Sequence, residues 1–341
     1  MELTERKSKI LSSVVDHFIA WGEPVGSKTI AEQIGVSSAT IRNEMAELIR
    51  LGLLEQPHTS SGRVPSPKGY RQYLEDGLPG EPLTQDEKRY LDAILQKRAD
   101  DPGLLLEGVS RLLGGYTKSV SIVSAPSEGI ANISAVQFVQ ISRRTAMLVL
   151  VTSVGTVRSR LFHCDYDLTS EILRVFFRVF NGRMVGTAIA DINPAFIQSM
   201  ALSLESLAML SAPPLMALLE AAQEMFQSKL LIDGQINLMM CPELEFTDLR
   251  EIYRFLEDSE AVKGLLSEAR HHATAWIGPE IGLQALNETA VVMIKYRVNR
   301  QDLGTLAVLG PMRMDYKKNF QVLSYLSEQV GMILTNLMTE P

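Results

Sequence analysis

Two short amphipathic helical patterns that lie close together near the N-terminus constrain this chain most. The first begins at Ser27, which we expect to be its N-cap, and the second begins after the turn Gly35-Val36-Ser37. The second carries apolar residues at positions i, i+4 and i+7, namely Ile41, Met45 and Leu48. A basic loop rich in glycine and proline follows, as far as Arg71. A short helix, a tight turn, a second helix and a basic hairpin together predict a winged helix-turn-helix, which places one helix in the major groove of DNA.

The outer face of the second helical pattern, whose N-cap we expect to be Ser37, carries side chains suited to reading DNA. Arginine pairs bidentately with guanine and asparagine with adenine, while serine and threonine bond to bases or phosphates. The alternative is that these residues are ordinary solvated positions of an amphipathic helix. The short helix before them and the basic loop after them favour DNA binding. The candidate contacts on this helix are Ser38, Thr40, Arg42 and Asn43.

The basic loop has the pattern of a β-hairpin wing. A short strand leads into a turn over 58–62, after which the chain returns through Arg63. This pattern predicts Arg63 at the tip of the hairpin, within reach of the DNA backbone or minor groove, although a plain turn with a solvated arginine has the same sequence. Lys68 and Arg71 follow, and the segment 57–72 contains no acidic residue. We expect these three cations to contact phosphates chiefly.

The charge of the chain is distributed unevenly. The 341 residues carry a formal net charge of −7, which alone argues against a DNA-binding protein. Residues 1–72, however, hold nine Lys and Arg against eight Asp and Glu, whereas the remainder holds 24 against 32. Attraction to phosphate depends on where the charge sits. A locally basic reader attached to an acidic body is therefore compatible with DNA binding, and it disfavours tight non-specific binding.

Three features predict a cytoplasmic protein without a membrane segment. Cys164 and Cys241 have no CxxC spacing and suit a reducing compartment. The start of the chain has no apolar signal sequence. The most apolar run, 200–222, contains two glutamates and a pair of prolines, which indicates helices packed within protein instead of lipid.

The body of the chain contains a pattern that predicts an inserted domain. Strand-like segments with the spacing of an antiparallel meander, followed by helical segments, occur over 135–141, 146–151, 157–162, 169–180, 194–210 and 213–230. Before and after this block, strands are expected over 120–124, 235–240, 273–277, 290–297 and 305–309, with helices over 248–270 and 317–337. A meander followed by helices is a self-contained α+β unit. We therefore expect an insertion over about 126–231 between strands of a different sheet.

Two motifs resemble a known family. The run from Ser61 to Leu74 (SGRVPSPKGYRQYL) and the segment from Gly304 to Tyr316 (GTLAVLGPMRMDY) resemble the two signatures of the HrcA family of heat-inducible transcription repressors. The resemblance extends over essentially the whole chain. It implies an α+β multidomain protein with an N-terminal winged helix-turn-helix domain over 1–80, a GAF-like α/β domain over 81–125 and 232–341, and an inserted α+β dimerisation domain over 126–231.

The same resemblance implies a function, namely a dimeric repressor of heat-shock operons that encode chaperones. Such a homodimer binds an inverted repeat in double-stranded DNA, because its two-fold symmetry matches that of the operator. The resemblance also implies that a GroEL-type chaperonin maintains the activity and that heat shock removes it. The Met- and Leu-rich segment 200–219 is domain core in one interpretation and partly a homodimer interface in another. The alternative function is a metabolite-gated winged-helix regulator with a ligand-binding GAF-like domain.

No motif in the sequence indicates an enzyme. The phosphate-binding GxxxxGK[ST], the dinucleotide-binding GxGxxG, the zinc-protease HExxH and the hydrolase GxSxG are all absent. His271-His272 and His163-Cys164-Asp165 have no further ligands at metal spacing. We therefore expect no catalytic residue, no cofactor and no metal.

Overall fold

The computed structural model describes residues 3–57, 61–77, 82–124, 131–153, 156–226, 229–298 and 301–339. The chain divides into two compact units. The first comprises 1–124 and 230–331, and the second comprises 125–229 and 332–341. Each unit has a hydrophobic core of its own. The domain borders expected from the sequence stay predictions.

The N-terminal part of the first unit is a winged helix-turn-helix, as predicted. Its elements are α1 (Glu5–Trp21), α2 (Ser27–Ile34), α3 (Ser38–Arg50), β1 (Leu54–Glu55), β2 (Val64–Pro65) and α4 (Pro67–Glu75). The apolar stripe of α3 is buried, and the helix packs on α1 and α2. Gly35 follows α2 at a φ of 76°, the left-handed conformation that permits the tight turn into α3.

Of the two N-caps predicted from the sequence, one is confirmed and one is wrong. Ser37 is the N-cap of α3, as predicted, and its hydroxyl oxygen accepts a hydrogen bond from the Thr40 amide at 3.1 Å. Ser27 is not the N-cap of α2, because Gly26 occupies that position and Ser27 is already helical. The Ser27 hydroxyl instead forms a 3.0 Å hydrogen bond with the Ser38 hydroxyl, which joins the first turns of α2 and α3.

The remaining elements continue in chain order through both units. They are α5 (Gln85–Gln96), α6 (Pro102–Thr117), β3 (Val120–Ser124), β4 (Ile133–Gln140), β5 (Thr145–Thr152), β6 (Val157–His163), α7 (Ser170–Met184), α8 (Pro194–Ser203), α9 (Ala212–Phe226), β7 (Leu230–Asp233), α10 (Phe246–Glu257), α11 (Ser259–Ser267), β8 (Thr274–Ile277), β9 (Thr289–Val298), β10 (Gln301–Pro311) and α12 (Tyr316–Thr339).

The body of the first unit is a five-stranded antiparallel sheet in the order β7-β3-β10-β9-β8. All five residues of β3 are buried, so the sheet is covered on both faces. Residues of α10 and α11 pack with sheet residues in one core that includes Ile252, Phe255, Val262, Val120 and Ile122. An α/β domain after the winged helix is confirmed, and its description as GAF-like stays a prediction.

One predicted strand of this unit is wrong. The segment expected as a strand over 235–240 is a short 3-10 helix, and the strand, β7, lies just before it. Gly234 separates the two because it adopts a φ of 78°, outside the range of a strand. A side chain would not fit there, since a Cβ placed on Gly234 lies 2.5 Å from the carbonyl oxygen of Ser119.

Several predicted helices are shorter in the structure. The helix expected over 248–270 is divided into α10 and α11, because the Asp258 carboxylate accepts hydrogen bonds from the first amides of α11. The helix expected over 194–210 leaves the α-helical form at Ser203 and continues as a 3-10 helix. The helix expected over 213–230 ends at Phe226, since Leu230 already belongs to β7.

The second unit is built on the antiparallel meander β4-β5-β6, as predicted. One face of the sheet packs against α7 and α9 in a core that contains Leu148, Leu150, Phe176, Phe180 and Leu218. The Phe138 ring meets Phe180 edge to face, with centroids 5.0 Å apart. A turn is predicted over 153–155, between the second and third strands of the meander, and residues 154–155 lie outside the described residues. Residues 125–130, at the predicted start of the insertion, also lie outside them.

The other face of this meander carries apolar side chains that point away from the core. Val139 pairs with Met147 across the sheet, and Met147 pairs with Leu161. The exposed fraction is 43% for Val139, 55% for Val157 and 64% for Leu161. Large apolar patches on a surface mark interaction sites. We define the open sheet face as Val139, Met147, Val149, Val151, Val157 and Leu161.

The Met- and Leu-rich segment 200–219 is divided between the core and the surface of the second unit. Met200, Leu204, Leu215 and Leu218 are buried, whereas Leu202, Met209 and Met216 are exposed. The interpretation as domain core accounts for the buried residues, and the interpretation of part of the segment as a homodimer interface stays a prediction. Over the ranges that the structure describes, no helix is long and apolar enough to cross a membrane.

Candidate nucleic-acid interface

The outer face of α3 carries two exposed polar side chains. Arg42 and Asn43 are exposed, and neither forms a hydrogen bond or ion pair with any described residue. The opposite side of α3 is fixed by its buried apolar stripe, so these side chains project from a rigid helix. A guanidinium and an amide held in this way can form the bidentate pairs that distinguish base edges. We call Arg42 and Asn43 the reader face.

The hydroxyl residues at the start of α3 are held more firmly. Ser38 is half-buried, and its hydroxyl is paired with that of Ser27. Thr40 is also half-buried, and its hydroxyl lies 2.8 Å from that of Ser37. A hydroxyl in one hydrogen bond keeps further lone pairs or its proton for another partner. Both residues therefore stabilise the start of α3 through these hydrogen bonds, and they stay candidate DNA contacts.

The carboxylates of α3 are paired with basic residues of α1. Glu47 lies 2.6 Å from the ammonium of Lys7, and Glu44 lies 3.8 Å from the guanidinium of Arg6. The hydrogen bond from Lys7, followed by the positive charge of that residue, lowers the pKa of Glu47. Since an unpaired carboxylate beside the reader face would repel phosphate, these pairs reduce an electrostatic obstacle to DNA. Sequence patterns did not reveal this role of Arg6 and Lys7, because it depends on the packing of α1 against α3.

Arg63 does not occupy the tip of the wing. β1 pairs with β2 in the register Leu54↔Pro65, so Arg63 lies next to the paired strands. Its backbone forms an antiparallel bridge with Val25, with N–O distances of 2.8 and 2.9 Å. The prediction of a tip position is therefore wrong. Residues 58–60 of the predicted turn lie outside the described residues.

A glycine explains where Arg63 lies. A Cβ placed on Gly62 lies 2.5 Å from the carbonyl carbon and oxygen of Pro24, so only a glycine allows the chain to run this close to the α1–α2 loop. The half-buried Arg63 side chain folds back on the wing, where Nη1 donates to the Ser61 carbonyl oxygen at 3.1 Å. Its contact with phosphate stays a prediction.

The segment after the wing attaches α4 to the end of α3. The Ser66 hydroxyl donates to the Gly52 carbonyl oxygen at 2.6 Å and accepts from the Gly69 amide at 3.0 Å. A Cβ placed on Gly69 lies 2.0 Å from the Leu53 carbonyl oxygen, so α4 touches the backbone there. Lys68 is exposed, and its ammonium donates to the Leu51 carbonyl oxygen at 3.2 Å. A lysine at this helix end is electrostatically favourable and stays available to phosphate.

The Arg71 guanidinium is hydrogen-bonded within the protein. Its Nε donates to Glu280 at 2.9 Å, its Nη2 also pairs with the same carboxylate, and Nη2 donates to the Ala275 carbonyl oxygen at 2.7 Å. Burial alone would raise the pKa of Glu280, but the hydrogen bonds from Arg71 and the Ile277 amide outweigh it, and the pKa is lowered. Its guanidinium already has these acceptors within the protein, and its contact with DNA stays a prediction.

Lys28 is a further cation, which is not among the contacts predicted from the sequence. It lies in the first turn of α2, is exposed, and forms no hydrogen bond or ion pair within the described part of the chain. In a helix-turn-helix the helix before the recognition helix crosses the DNA backbone. Its position in the first turn of α2 is the sequence signal from which this contact could have been predicted.

The first unit also has a surface groove between α5 and α6, with a volume of about 600 Å³. Tyr90, Arg98, Arg111 and Tyr116 are among the residues that line it. It is an open groove, whereas small-molecule sites usually enclose most of their ligand. Among the described residues, no group of three or more His, Cys, Asp or Glu side chains is arranged to hold a metal ion.

Comparison with known proteins links the sequence to one family. Residues 2–75 match the family described as "Winged helix-turn-helix transcription repressor, HrcA DNA-binding", and residues 104–320 match "HrcA protein C terminal domain". The heat-inducible transcription repressor HrcA of Moorella thermoacetica is 35% identical, with 99% of each chain covered. That of Acetivibrio thermocellus is 30% identical, with 97% of this chain and 96% of its own covered.

A solved structure has the same fold. A crystal structure described only as that of a hypothetical protein is 24% identical and gives a TM-score of 0.70, covering 98% of this chain and 100% of the other.

Proposed function

Because this chain belongs to the HrcA family of heat-inducible transcription repressors, we propose that it represses chaperone operons by binding an inverted-repeat operator as a homodimer. Its named relatives are transcription repressors, a role that is not enzymatic. The observation that carries the proposal is the reader face, where Arg42 and Asn43 project from α3 without partners among the described residues.

In the proposed complex, α3 lies in the major groove. Arg42 and Asn43 contact base edges, and Ser38 and Thr40 bond to bases or phosphates near the start of the helix. Cations around this helix, at positions 28, 63 and 68, contact the phosphates and fix the register. The pairing of the α3 carboxylates with α1 supports this arrangement, because it neutralises the negative charges of α3 itself.

We propose that two chains pair through the open sheet face of the second unit. An isologous interface needs a surface that is complementary to itself, and apolar sheet faces pack well against each other. The exposed Val157 and Leu161 side chains lie on one face of a regular sheet, which supports this assignment over the helical segment 200–219, whose buried members belong to the core of the second unit. A dimer formed in this way presents two reader faces to the two halves of an inverted repeat.

The proposed control of activity is competition for a GroEL-type chaperonin. At normal temperature the chaperonin keeps the repressor folded, and on heat shock unfolded proteins occupy the chaperonin and the repressor loses activity. Such control needs a protein that exposes apolar surface and a marginal native state. Exposed side chains on the first unit support it, with exposed fractions of 78% for Met240 and 80% for Phe246.

The experiment that tests DNA recognition is selection of bound sequences from random duplex DNA by the full-length protein. We expect an inverted repeat with half-sites separated by about 10–10.5 bp or a multiple of it. Enrichment of a single unpaired site would contradict the dimeric mode, and no enrichment at all would contradict operator binding.

A second experiment tests the mode of control. Purified protein is heated, returned to its starting temperature and assayed for operator binding, with and without a GroEL-type chaperonin and ATP. Recovery that depends on the chaperonin supports the proposal. Operator binding that instead responds to a small metabolite, while the chaperonin has no effect, supports a metabolite-gated regulator.

A further inference from the structure

α4 contacts two different parts of the first unit at once. Its N-terminal end is attached to the end of α3 through Ser66 and Gly69, as described above. Its remaining residues face β8, the segment after it and the start of α12. α4 thereby connects the reader face to the body of the unit, and each connection consists of specific polar and aromatic contacts.

The first group of contacts joins α4 to β8 and the segment after it. Arg71 bonds to both carboxylate oxygens of Glu280 and to the Ala275 carbonyl oxygen. Glu280 is itself oriented by the Ile277 amide, which donates to it at 3.1 Å. Pro67 packs near Gly278, whose Cβ position lies 3.8 Å from the Pro67 ring. A guanidinium fixed by a carboxylate and a carbonyl oxygen sets direction as well as distance.

The second group joins α1 and α4 to the start of α12. The Asp16 carboxylate accepts a hydrogen bond from the Tyr73 hydroxyl at 2.6 Å and from the Lys317 ammonium at 2.8 and 3.0 Å. The buried rings of Tyr70 and Tyr316 meet with centroids 5.8 Å apart. One carboxylate on the winged helix thus receives donors from both sides of the contact.

The third group lies at the end of α1. Gly22 caps this helix at a φ of 70°, and the Arg313 guanidinium lies 3.4 Å from the Cβ position of that glycine. Arg313 also pairs with Glu243. We call the three groups together the joint, formed by Asp16, Gly22, Pro67, Tyr70, Arg71 and Tyr73 on the winged helix and by Glu243, Ala275, Glu280, Arg313, Tyr316 and Lys317 on the body.

The two sequence motifs found at the outset meet in the joint. Tyr70, Arg71 and Tyr73 belong to the first motif, over 61–74, and Arg313 and Tyr316 belong to the second, over 304–316. We infer that the joint is a positioning device, which fixes the direction of α3 relative to the body and thereby sets the spacing of operator half-sites that a dimer accepts. This inference rests on the proposed function, because it requires two reader faces that bind one operator.

The physical basis is the difference between rigid and flexible bivalent binding. When two binding surfaces are held at a fixed separation, the second binding event is favourable only at the matching spacing. When one of them swings on a loose attachment, neighbouring spacings are reached at similar cost and the best spacing loses its advantage. Loosening the joint should therefore reduce discrimination between spacings and leave the affinity of each reader face for a single half-site unchanged.

The experiment compares full-length wild type with Glu280→Arg, which places two cations together, and with the double exchange Arg71→Glu/Glu280→Arg. Each protein is titrated with the selected operator, with the same operator lengthened by two base pairs between half-sites, and with a single half-site. Circular dichroism and thermal melting verify folding. Asp16→Asn is the second variant, because it weakens the joint without adding a buried charge.

We expect wild type to prefer the natural spacing by about tenfold or more, and Glu280→Arg to reduce that preference to about threefold or less. The double exchange should restore part of it, because the ion pair returns while the hydrogen bonds to the Ala275 carbonyl oxygen and from the Ile277 amide do not. Asp16→Asn should reduce the preference by a smaller factor than Glu280→Arg. Half-site affinity should agree within about twofold for all four proteins. This rescue is a result that a merely destabilising effect does not produce.

Two results would overturn the inference. One is spacing discrimination as strong in folded Glu280→Arg and Asp16→Asn as in wild type. The other is half-site binding that is lost only in the double exchange, since that would make Arg71 a DNA contact instead of part of the joint. Failure of the wild type itself to bind any selected duplex would instead contradict the proposed function, so the two failures are distinguishable.

Discussion

α3 and α4 are neighbours in the chain and carry similar cations, yet they use them in opposite ways. Arg42 on α3 is exposed, without a partner in the described ranges, whereas Arg71 on α4 is held by Glu280 and a backbone carbonyl oxygen. Positive charge beside a recognition helix is therefore not evidence of a DNA contact, because long-range packing determines where each guanidinium goes. Changes at Arg42 and Asn43 of α3 should alter binding, and changes at the buried positions of α4 should alter stability.

The largest effect is expected at Gly69. In Gly69→Ala the new methyl group meets the Leu53 carbonyl oxygen, which cannot move without displacing the end of α3. We expect a loss of about 3 kcal/mol in the free energy of unfolding, measured by urea denaturation. The matched control is Gly264→Ala in α11, where no atom lies within 4 Å of the Cβ position and a helical alanine should stabilise by about 0.5–1 kcal/mol. Equal outcomes for both variants would contradict the close contact of α4 with Leu53.

The next effect is on DNA recognition. Arg42→Ala or Asn43→Ala should cost about 1–3 kcal/mol in operator binding and relax the base preference at one position of each half-site, with no change in melting temperature. The control is Arg50→Ala, which removes an exposed arginine from the last turn of the same helix. Quantitative gel shifts on the selected operator and on single-base variants measure both quantities. A loss that is the same for every sequence would assign Arg42 to phosphates.

A pair of tyrosines on α4 tests the stability side of the comparison. The Tyr73 hydroxyl donates to Asp16, whereas the buried Tyr70 hydroxyl has no hydrogen-bond partner within the described residues. Tyr73→Phe should lower the free energy of unfolding by about 1–2 kcal/mol, and Tyr70→Phe should leave it unchanged or raise it, because an unpaired buried hydroxyl contributes nothing favourable. Thermal melting of both variants gives the answer. Equal destabilisation would mean that Tyr70 has a partner.

The smallest effect is expected at Lys68. Lys68→Gln should weaken binding to all duplex sequences similarly and reduce the slope of log affinity against log salt by about one, because one phosphate contact is lost. Lys97→Gln, at the end of α5 in the body, removes the same charge far along the chain and serves as the control. Fluorescence anisotropy across a salt series measures the slope. If the slope does not change, Lys68 serves only to cap α3.

Dimerisation is tested by a charge placed on the open sheet face. We expect Leu161→Glu to convert the dimer to a monomer in sedimentation experiments and to reduce operator affinity about 100-fold, since bivalent binding is lost. The control is Gln198→Glu, which adds the same charge on the exposed side of α8. A dimer that survives Leu161→Glu would place the pairing surface elsewhere.

Local patterns predicted the elements whose causes are local. The apolar stripe of α3, the cap at Ser37 and the alternating residues of the meander each follow from residues within a few positions of one another. The strand expected over 235–240 failed because an apolar run is compatible with a strand or a 3-10 helix. The deciding feature is the contact of Gly234 with Ser119, distant in sequence.

The candidate site shows the same limit. The exposed positions of Arg42 and Asn43 follow from helical periodicity, but the partner of Arg71 lies 209 residues away in the chain. The position predicted for Arg63 was wrong because it depends on the close approach of Gly62 to Pro24, which local patterns do not show. Apolar residues on both faces of β5 resembled an ordinary buried strand, so the open sheet face was not recognisable before the order of strands was known.

The junction between β3 and β7 has a consequence for how such a protein is assembled from parts. Ser124 and Leu230 are paired residues of one antiparallel ladder, so residues 125–229 occupy the place of a hairpin loop. Closing a longer loop adds little entropy cost, and a two-residue turn such as Asn-Gly closes a hairpin equally well. A chain shortened in this way should keep the five-stranded sheet and act as a monomer that binds a single half-site. Gain of this one insertion would then convert a solitary DNA-binding module into a paired one, and its loss would do the reverse.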